Sequence, residues 1–285
     1  MSAEVAFDQG RRLAFVACLD GSLLAFKVEV QPQAFGAQAG AHHSIDRDGG
    51  SSGIVRLQLA KAWLHRCPAP LFCPPAPVPA AGVVTAAAVD GTIEGLAASS
   101  GQLLWRMAAG SAIYAPLLVL QPQGGGGGGG RKGPLPWWLV VGTQGGRLLV
   151  LDPVQGGQLA ACSLGQQVTG LGAIPAAAAC QQEVTVEVGG TMVKSSCSSS
   201  RVAVTTGAGS VALIDLQPGG QSVSKLHDIL AAPVPSLVAA VQLPGEVFAP
   251  PVIVCGGGGL GGLPPWPRCL VGCRDDHVYC LEVSL

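Results

Sequence analysis

One module occurs five times along this chain: an apolar run, a turn centred on Gly or Asp, and a second apolar run. The five copies occupy residues 15–26, 83–96, 139–151, 202–214 and 270–281. Glycine accepts the positive φ angles that tight hairpin turns require, so two short apolar runs joined at Asp-Gly or Gly-Gly predict a β-hairpin. Five such hairpins indicate a repeat protein.

The composition favours an all-β chain. Only 12% of the residues are charged, and Gly and Pro together contribute 64 residues (42 plus 22), which would interrupt long helices. No apolar run approaches the roughly 18 residues of a membrane-spanning helix, and the first eight residues do not resemble a signal peptide. We therefore expect a cytoplasmic protein. A net charge of −1 gives no electrostatic reason to expect nucleic acid or a membrane surface as a partner.

Further signals frame each hairpin and enlarge the repeating unit. The order aliphatic, aromatic, small, proline occurs at residues 71–74, 113–116 and 247–250, each time before an apolar strand, with a degenerate copy at 168–171. A Ser-Gly turn after the second hairpin leads into a strand that ends at Trp105. The unit is therefore four strands. Four-stranded units of about 40 residues arranged radially form a β-propeller. About five blades are recognisable here, and they can form either a closed or an incomplete ring.

The residues that define the repeat are turn Asp and Gly residues, junction aromatics, prolines and one tryptophan. They are Asp20, Gly21, Phe72, Pro74, Asp90, Gly91, Gly101, Trp105, Tyr114, Pro116, Gly142, Gly146, Phe248, Pro250, Gly272 and Asp276.

The spacing of the turns reveals inserted sequence. Successive turns at Gly21, Gly91, Gly146, Gly209 and Asp276 are 70, 55, 63 and 67 residues apart, which exceeds one blade. The excess is Gly-, Ala-, Ser- and Pro-rich and lies near 33–53, 121–134, 176–200 and 256–267. Such tracts bury too little apolar surface to offset their ordering entropy, so they are expected to be flexible loops. The whole chain, 1–285, is then a single propeller domain.

The ten cysteines do not point to a metal site. No Cys-x-x-Cys pair occurs, and Cys269, Cys273 and Cys280 are spaced unlike zinc ligands. Reduced thiols within apolar strands pack as small hydrophobes. We therefore predict structural thiols and no metal ligands.

Two stretches carry a resemblance to known families. Residues 90–116, with Asp90-Gly91, the Ser-Gly turn, Trp105 and the aromatic-small-Pro order, resemble the pyrroloquinoline-quinone (PQQ) enzyme repeat. Residues 243–252 and 271–281 look like the end of the PQQ-like propeller of β-alanine-activating enzymes, acid–thiol ligases of the acyl-CoA synthetase family, aminoadipate-semialdehyde-dehydrogenase type. In that family the propeller follows an adenylate-forming domain and a carrier domain.

The resemblance implies a non-catalytic binding or scaffold module. No adenylate-forming signature and no carrier-type serine occur in this sequence, so the partner is expected to be a protein, or covalently linked adenylation and carrier domains. No catalytic residue and no cofactor-binding residue is predicted.

The alternative is a quinoprotein-type dehydrogenase, or a degenerate relative, that binds PQQ in the central channel. Such enzymes share an eight-bladed ring that holds a calcium ion, a stacking tryptophan and a vicinal cysteine pair. This chain has no adjacent cysteines, and its Asp residues lie mostly in turns, where they cap local amides. Neither PQQ nor calcium is therefore expected. Trp105 is predicted to pack between blades.

Overall fold

The computed structural model describes residues 5–32, 55–121, 137–174, 183–188, 191–196, 200–218, 233–254 and 267–283. This part of the chain consists of antiparallel strands and turns, with a single 3-10 turn at Pro79–Ala81 and no α-helix. The prediction of an all-β fold is confirmed. Within the same ranges no helix is long and apolar enough to cross a membrane.

The first three sheets each contain four strands in chain order. The first sheet comprises β1 (Val5–Asp8), β2 (Leu13–Ala17), β3 (Ser22–Pro32) and β4 (Val55–Arg66). The second comprises β5 (Ala76–Val78), β6 (Val83–Ala87), β7 (Thr92–Ala97) and β8 (Leu103–Ala108). The third comprises β9 (Leu118–Leu120), β10 (Trp138–Gly142), β11 (Arg147–Leu151) and β12 (Gln158–Ser163).

The last two sheets depart slightly from this plan. The fourth sheet has the order β13 (Val168–Ile174), β16 (Ser200–Thr206), β17 (Ser210–Pro218) and β18 (Pro233–Gln242). A separate hairpin of β14 (Glu183–Val188) and β15 (Thr191–Ser196) interrupts it in sequence. The fifth sheet has three strands among the described residues: β19 (Val252–Val254), β20 (Arg268–Gly272) and β21 (Val278–Glu282). The five predicted hairpins all form, as the second and third strands of the five sheets.

The hairpin β14–β15 lies inside the predicted insertion 176–200, where a flexible loop was expected. Three valines, Val184, Val186 and Val188, alternate with Glu and Thr on β14. This two-residue period favours a strand over the Ala- and Ser-rich composition around it. The other predicted insertions, near 33–53, 121–134 and 256–267, lie almost wholly outside the described residues.

The sheets pack face to face, and the core lies in the layers between them. Consecutive first strands contact one another, β1 with β5, β5 with β9, β9 with β13 and β13 with β19. Each boundary between sheets encloses its own cluster of buried side chains, represented by Phe15, Ile93, Val140 and Val271 in order along the array. Both faces of these sheets are covered, so every residue of strands β6 and β10 is buried and polar residues do not alternate with apolar ones.

The outward faces of the first and last sheets are uncovered by any described residue. Val5 and Phe7 of β1 are 61% and 50% exposed, and Val252 and Val278 of the fifth sheet are 59% and 73% exposed. In the third sheet the position equivalent to Val278 is Leu148, since both pair with the glycine that ends the second strand, and Leu148 is fully buried. The described part of the array therefore does not close into a ring.

Candidate binding surface

Each connection between sheets is fixed by the hairpin turn of the sheet that it leaves. The carbonyl oxygen of the turn glycine accepts a hydrogen bond from the first residue of the connection at 2.7 to 2.9 Å. The four pairs are Gly21 with Cys67, Gly91 with Ala109, Gly146 with Leu164, and Gly209 with Leu243.

The hairpin turn of the following sheet holds the same connection further along. A turn amide donates to a connection carbonyl oxygen at 2.8 to 3.0 Å. The pairs are Val89 with Pro70, Gln144 with Ala112, Gly207 with Gln167, and Arg274 with Glu246. The five turns (18–22, 88–92, 143–147, 206–210, 273–277) and the four connections (67–72, 109–114, 164–169, 243–248) thus form one end of the array, called here the hairpin-turn face.

The turns have the geometry that their sequences predict. Gly21, Gly91, Gly146 and Gly209 have φ angles of 81°, 87°, 76° and 87°. In the fifth sheet Asp276 takes the place of the glycine at φ 66°. The Asp20 and Asp90 carboxylates each accept a backbone N–H two residues on, at 2.9 Å. This bond, from Ser22, lowers the pKa of Asp20.

Two predicted repeat glycines have a different role from the turn glycines. Gly142 and Gly272 end strands β10 and β20 and have no positive φ. A Cβ atom at Gly142 would lie 2.3 Å from Val168 of the next sheet, whereas one at Gly272 would meet no atom within 4 Å. Close packing thus requires glycine at 142 but not at 272.

The junction aromatics project from the hairpin-turn face. Phe72, Tyr114 and Phe248 each lie two residues after the connection carbonyl that accepts the turn amide. They are 55%, 45% and 54% exposed. The aliphatic residue before each of them is buried at 2% exposure or less. At the third boundary the equivalent residue is Thr169, which is buried. The aromatic rings therefore do not fill the core.

The exposed rings have ordered neighbours. Phe72 and Tyr114 meet edge to face, with ring centroids 5.9 Å apart at 71°. The guanidinium of Arg274 lies 5.4 Å from the Phe248 centroid and pairs with the Glu246 carboxylate at 3.0 Å. The surface therefore presents aromatic rings at three of the four boundaries, with a cation held over one of them.

The prolines of the same motif lie just before the first strands of three sheets. Pro74, Pro116 and Pro250 each stand two residues before the first strand of a sheet. Proline has no N–H to donate, which suits a position just outside a ladder. The small residues before the first two, Cys73 and Ala115, are buried.

Trp105 packs between sheets, as predicted from its position in the repeat. Its indole Nε1–H donates to the Pro153 carbonyl oxygen at 3.0 Å. Trp63 occupies the equivalent place in the first sheet and donates to the Ala98 carbonyl oxygen at 2.9 Å, with its ring over Gly101. The role of Trp63 was missed from sequence, although it precedes its connection by the same number of residues as Trp105.

Similar architectures occur in solved structures. Sqt1 from Chaetomium thermophilum matches 99% of this chain and 60% of its own at 16% identity, with a TM-score of 0.58. A chain of the mitotic checkpoint complex matches 99% and 63% at 9% identity and a TM-score of 0.55. BBS1N in complex with ARL6DN matches 99% and 67% at 12% identity and a TM-score of 0.50. The fold is a β-propeller.

At these identities the likeness is one of fold, and this propeller spans 60 to 67% of the length of the three chains. No family model matches the propeller, and no curated protein matches it.

A second group of polar side chains lies at the first boundary of the propeller. His65 and Cys67 come from the first sheet and its connection, and Glu94 and Arg106 come from the second sheet. The His65 imidazole Nε2 lies 2.8 Å from one oxygen of Glu94, and the Arg106 Nε donates to the other oxygen at 2.6 Å. The Glu94 side chain is 1% exposed. This group is the place among the described residues where three potential metal ligands converge.

Proposed function

We propose that this propeller is a non-catalytic binding module that docks a protein partner on its hairpin-turn face. The observation that carries the proposal is the exposure of Phe72, Tyr114 and Phe248 at equivalent points of three boundaries. Single exposed apolar residues are common on protein surfaces. A repeated position that presents an aromatic ring beside buried neighbours is typical of an interaction surface.

The rigidity of the surface supports the same proposal. Each connection is bonded to two hairpin turns, so the backbone beneath the rings is ordered before any partner arrives. A preorganised surface loses little conformational entropy on binding. Aromatic residues and arginine, such as Arg274 over Phe248, are the side chains that most often dominate binding energy at interfaces.

Two of the solved structures with similar folds, the mitotic checkpoint complex and BBS1N with ARL6DN, are protein complexes. This supports a protein as the class of partner.

The finer part of the proposal concerns the identity of that partner. The resemblance of residues 90–116, 243–252 and 271–281 to the propeller of β-alanine-activating enzymes supports adenylation and carrier domains of an acyl-CoA synthetase-like enzyme, either linked or separate. The propeller would then position these domains and take no part in the chemistry.

Photo-cross-linking tests where the partner docks. A photoreactive phenylalanine analogue replaces Tyr114 on the hairpin-turn face or Val154 in the β11–β12 turn at the opposite end. Both residues are similarly exposed, at 45% and 49%. In extracts of the source cells, adducts at position 114 and none at position 154 are expected. Equal adducts at both positions, or adducts at position 154 alone, would contradict the proposal.

A separate assay tests the absence of catalysis and the finer proposal. Purified propeller is incubated with amino acids, ATP and coenzyme A, alone and with a recombinant adenylation–carrier fragment. We expect no adenylate or thioester from the propeller alone, and binding of the fragment in gel filtration. Turnover by the propeller alone would overturn the non-catalytic function, while failure to bind the fragment would reject only this choice of partner.

A further inference from the structure

The first boundary of the propeller breaks the apolar pattern of the repeat at three positions. The register of the third and fourth strands aligns the first four sheets, because Ser22 pairs with Arg66 in the same way as Thr92 with Ala108, Arg147 with Ser163 and Ser210 with Gln242. In the first sheet the fourth-strand member of this pair is Arg66. His65 comes directly before it and Cys67 directly after it. Glu94 lies two residues beyond Thr92 and faces both of them from the second sheet.

The other boundaries have uncharged residues at all three positions. They are Met107, Ala109 and Leu149 at the second boundary, Cys162, Leu164 and Ala212 at the third, and Val241, Leu243 and Tyr279 at the fourth. Packing between blades therefore does not require a polar residue at these positions. The first boundary has instead an imidazole, a thiol and a carboxylate together.

The three side chains are arranged for joint use. One ligand atom from each of His65, Cys67 and Glu94 lies within 4.8 Å of the others. Arg106 binds only one of the two Glu94 oxygens, and the other oxygen faces His65. A buried carboxylate is costly without compensating charge. Arg106 supplies one positive charge at the first Glu94 oxygen, and the second oxygen is left to face His65.

We propose that His65, Cys67 and Glu94 bind a zinc ion between the first two blades. Thiolate and imidazole ligands select zinc over calcium or magnesium, and one carboxylate oxygen is a common companion. Ligands at about 2.0 to 2.3 Å from a tetrahedral zinc lie roughly 3.5 Å apart. The His65–Glu94 pair at 2.8 Å must therefore open slightly, and ligand atoms separated by up to 4.8 Å must move closer together. Zn²⁺ takes the place of the Cys67 thiol proton, which is released to solvent, and water occupies the fourth position.

The ion would join the two blades at the edge of the hairpin-turn face. Cys67 is also the residue whose amide donates to the Gly21 carbonyl oxygen. Zinc binding at Cys67 therefore fixes the start of the connection that ends at Phe72. Because the ion binds only the folded arrangement, it raises the stability of the propeller.

Cobalt(II) titration of the metal-free full chain provides the direct test, since a cobalt–thiolate bond gives a charge-transfer absorption band. We expect one equivalent of saturable binding, competed by zinc, with a rise in the thermal midpoint when zinc is added. His65→Ala, Cys67→Ser and Glu94→Gln should each weaken cobalt binding at least tenfold. The matched control is Cys162→Ser, at the position equivalent to His65 in the third sheet, which should bind as the unmodified chain does.

Circular dichroism of each metal-free variant separates loss of the site from loss of the fold. Glu94→Gln keeps the shape of the side chain, so it should retain the β spectrum while binding cobalt more weakly than the unmodified chain. The proposal is overturned if the unmodified chain gives no saturable thiolate band. It is equally overturned if His65→Ala and Glu94→Gln, still folded, bind cobalt as tightly as the Cys162→Ser control, because the metal would then be held by other cysteines.

Discussion

The indole ring of Trp105 lies directly over Gly156 across the boundary between the second and third blades. A Cβ atom at Gly156 would stand 2.5 Å from the ring atom Cδ2. Trp63 and Gly101 form the same arrangement one boundary earlier, where the added Cβ would lie 2.6 Å from the ring. The tryptophan of one blade thus docks on the third turn of the next blade, and the glycine in that turn is required both for its backbone angle and for space.

Gly156→Ala should destabilise the propeller more than Gly165→Ala. Both glycines have left-handed φ angles, 73° and 68°, but only Gly156 lies under a ring, while a Cβ at Gly165 meets nothing within 4 Å. The backbone cost of alanine is roughly 1–2 kcal/mol at either site, and overpacking adds about 1–3 kcal/mol at Gly156. Urea denaturation measures both free energies of unfolding. Equal losses for the two variants would show that the ring is not packed on Gly156.

Leu148→Ala and Val278→Ala should differ strongly in stability although they change equivalent positions. Leu148 is fully buried between the third and fourth blades, whereas Val278 is 73% exposed on the outward face of the fifth. The first change should cost about 2–5 kcal/mol and the second less than about 0.5 kcal/mol. Thermal unfolding of both variants is the measurement. A large loss for Val278→Ala would mean that this face is covered, and the ring closed, in solution.

The hairpins and the blade repeat were predictable because their signals are local. The turn at Asp90-Gly91 and the period of apolar residues around it depend on neighbouring residues only. The docking of Trp63 on Gly101 and the meeting of His65 with Glu94 join residues about 30 to 40 positions apart in different sheets. Their proximity depends on the packing of blades, which cysteine spacing and composition do not reveal.

The local sequence also did not predict that the junction aromatic rings point toward solvent. The order aliphatic, aromatic, small, proline predicted a structural repeat, and its aliphatic members, such as Ile113, are indeed buried. The ring of Tyr114 points away from the core because the connection is clamped at Ala112 by the next turn. That hydrogen bond crosses between blades, so its register could not be derived from the motif alone.

The Tyr279 hydroxyl should lose its proton only at unusually high pH, because it donates a hydrogen bond to the Asp275 carboxylate at 2.5 Å. This bond raises the pKa of Tyr279 to about 12, and it lowers the pKa of Asp275. In the Tyr114→Phe variant, which leaves Tyr279 as the one tyrosine of the chain, tyrosinate absorbance should rise with a midpoint near 12. Adding Asp275→Asn should move the midpoint toward the ordinary value of about 10.

The same pair makes a small contribution to stability that depends on pH. Since the folded pKa of Tyr279 is raised, its contribution is complete below the unfolded value of about 10. It is lost as the pH rises through about 12. A midpoint that does not respond to Asp275→Asn would show that the hydrogen bond does not form in solution.

Titration with PQQ and calcium should leave the tryptophan fluorescence of the propeller without a saturable change. Trp63 and Trp105 donate their indole N–H groups to Ala98 and Pro153 and cover glycines of the next blade. A cofactor stacked on Trp63 or Trp105 would have to displace one of these contacts. Saturable quenching at micromolar PQQ would support the quinoprotein alternative instead.

The affinity of the partner captured at position 114 tests the central claim most directly. Its Kd is measured by calorimetry for the unmodified propeller and for the triple variant Phe72→Ala, Tyr114→Ala and Phe248→Ala. The control is the double variant Leu104→Ala and Val154→Ala, because these two residues are 50% and 49% exposed but lie away from the hairpin-turn face. Loss of three aromatic anchors should weaken binding at least about 100-fold, with the control unchanged. Binding that survives the triple variant and fails in the control would contradict docking on the hairpin-turn face.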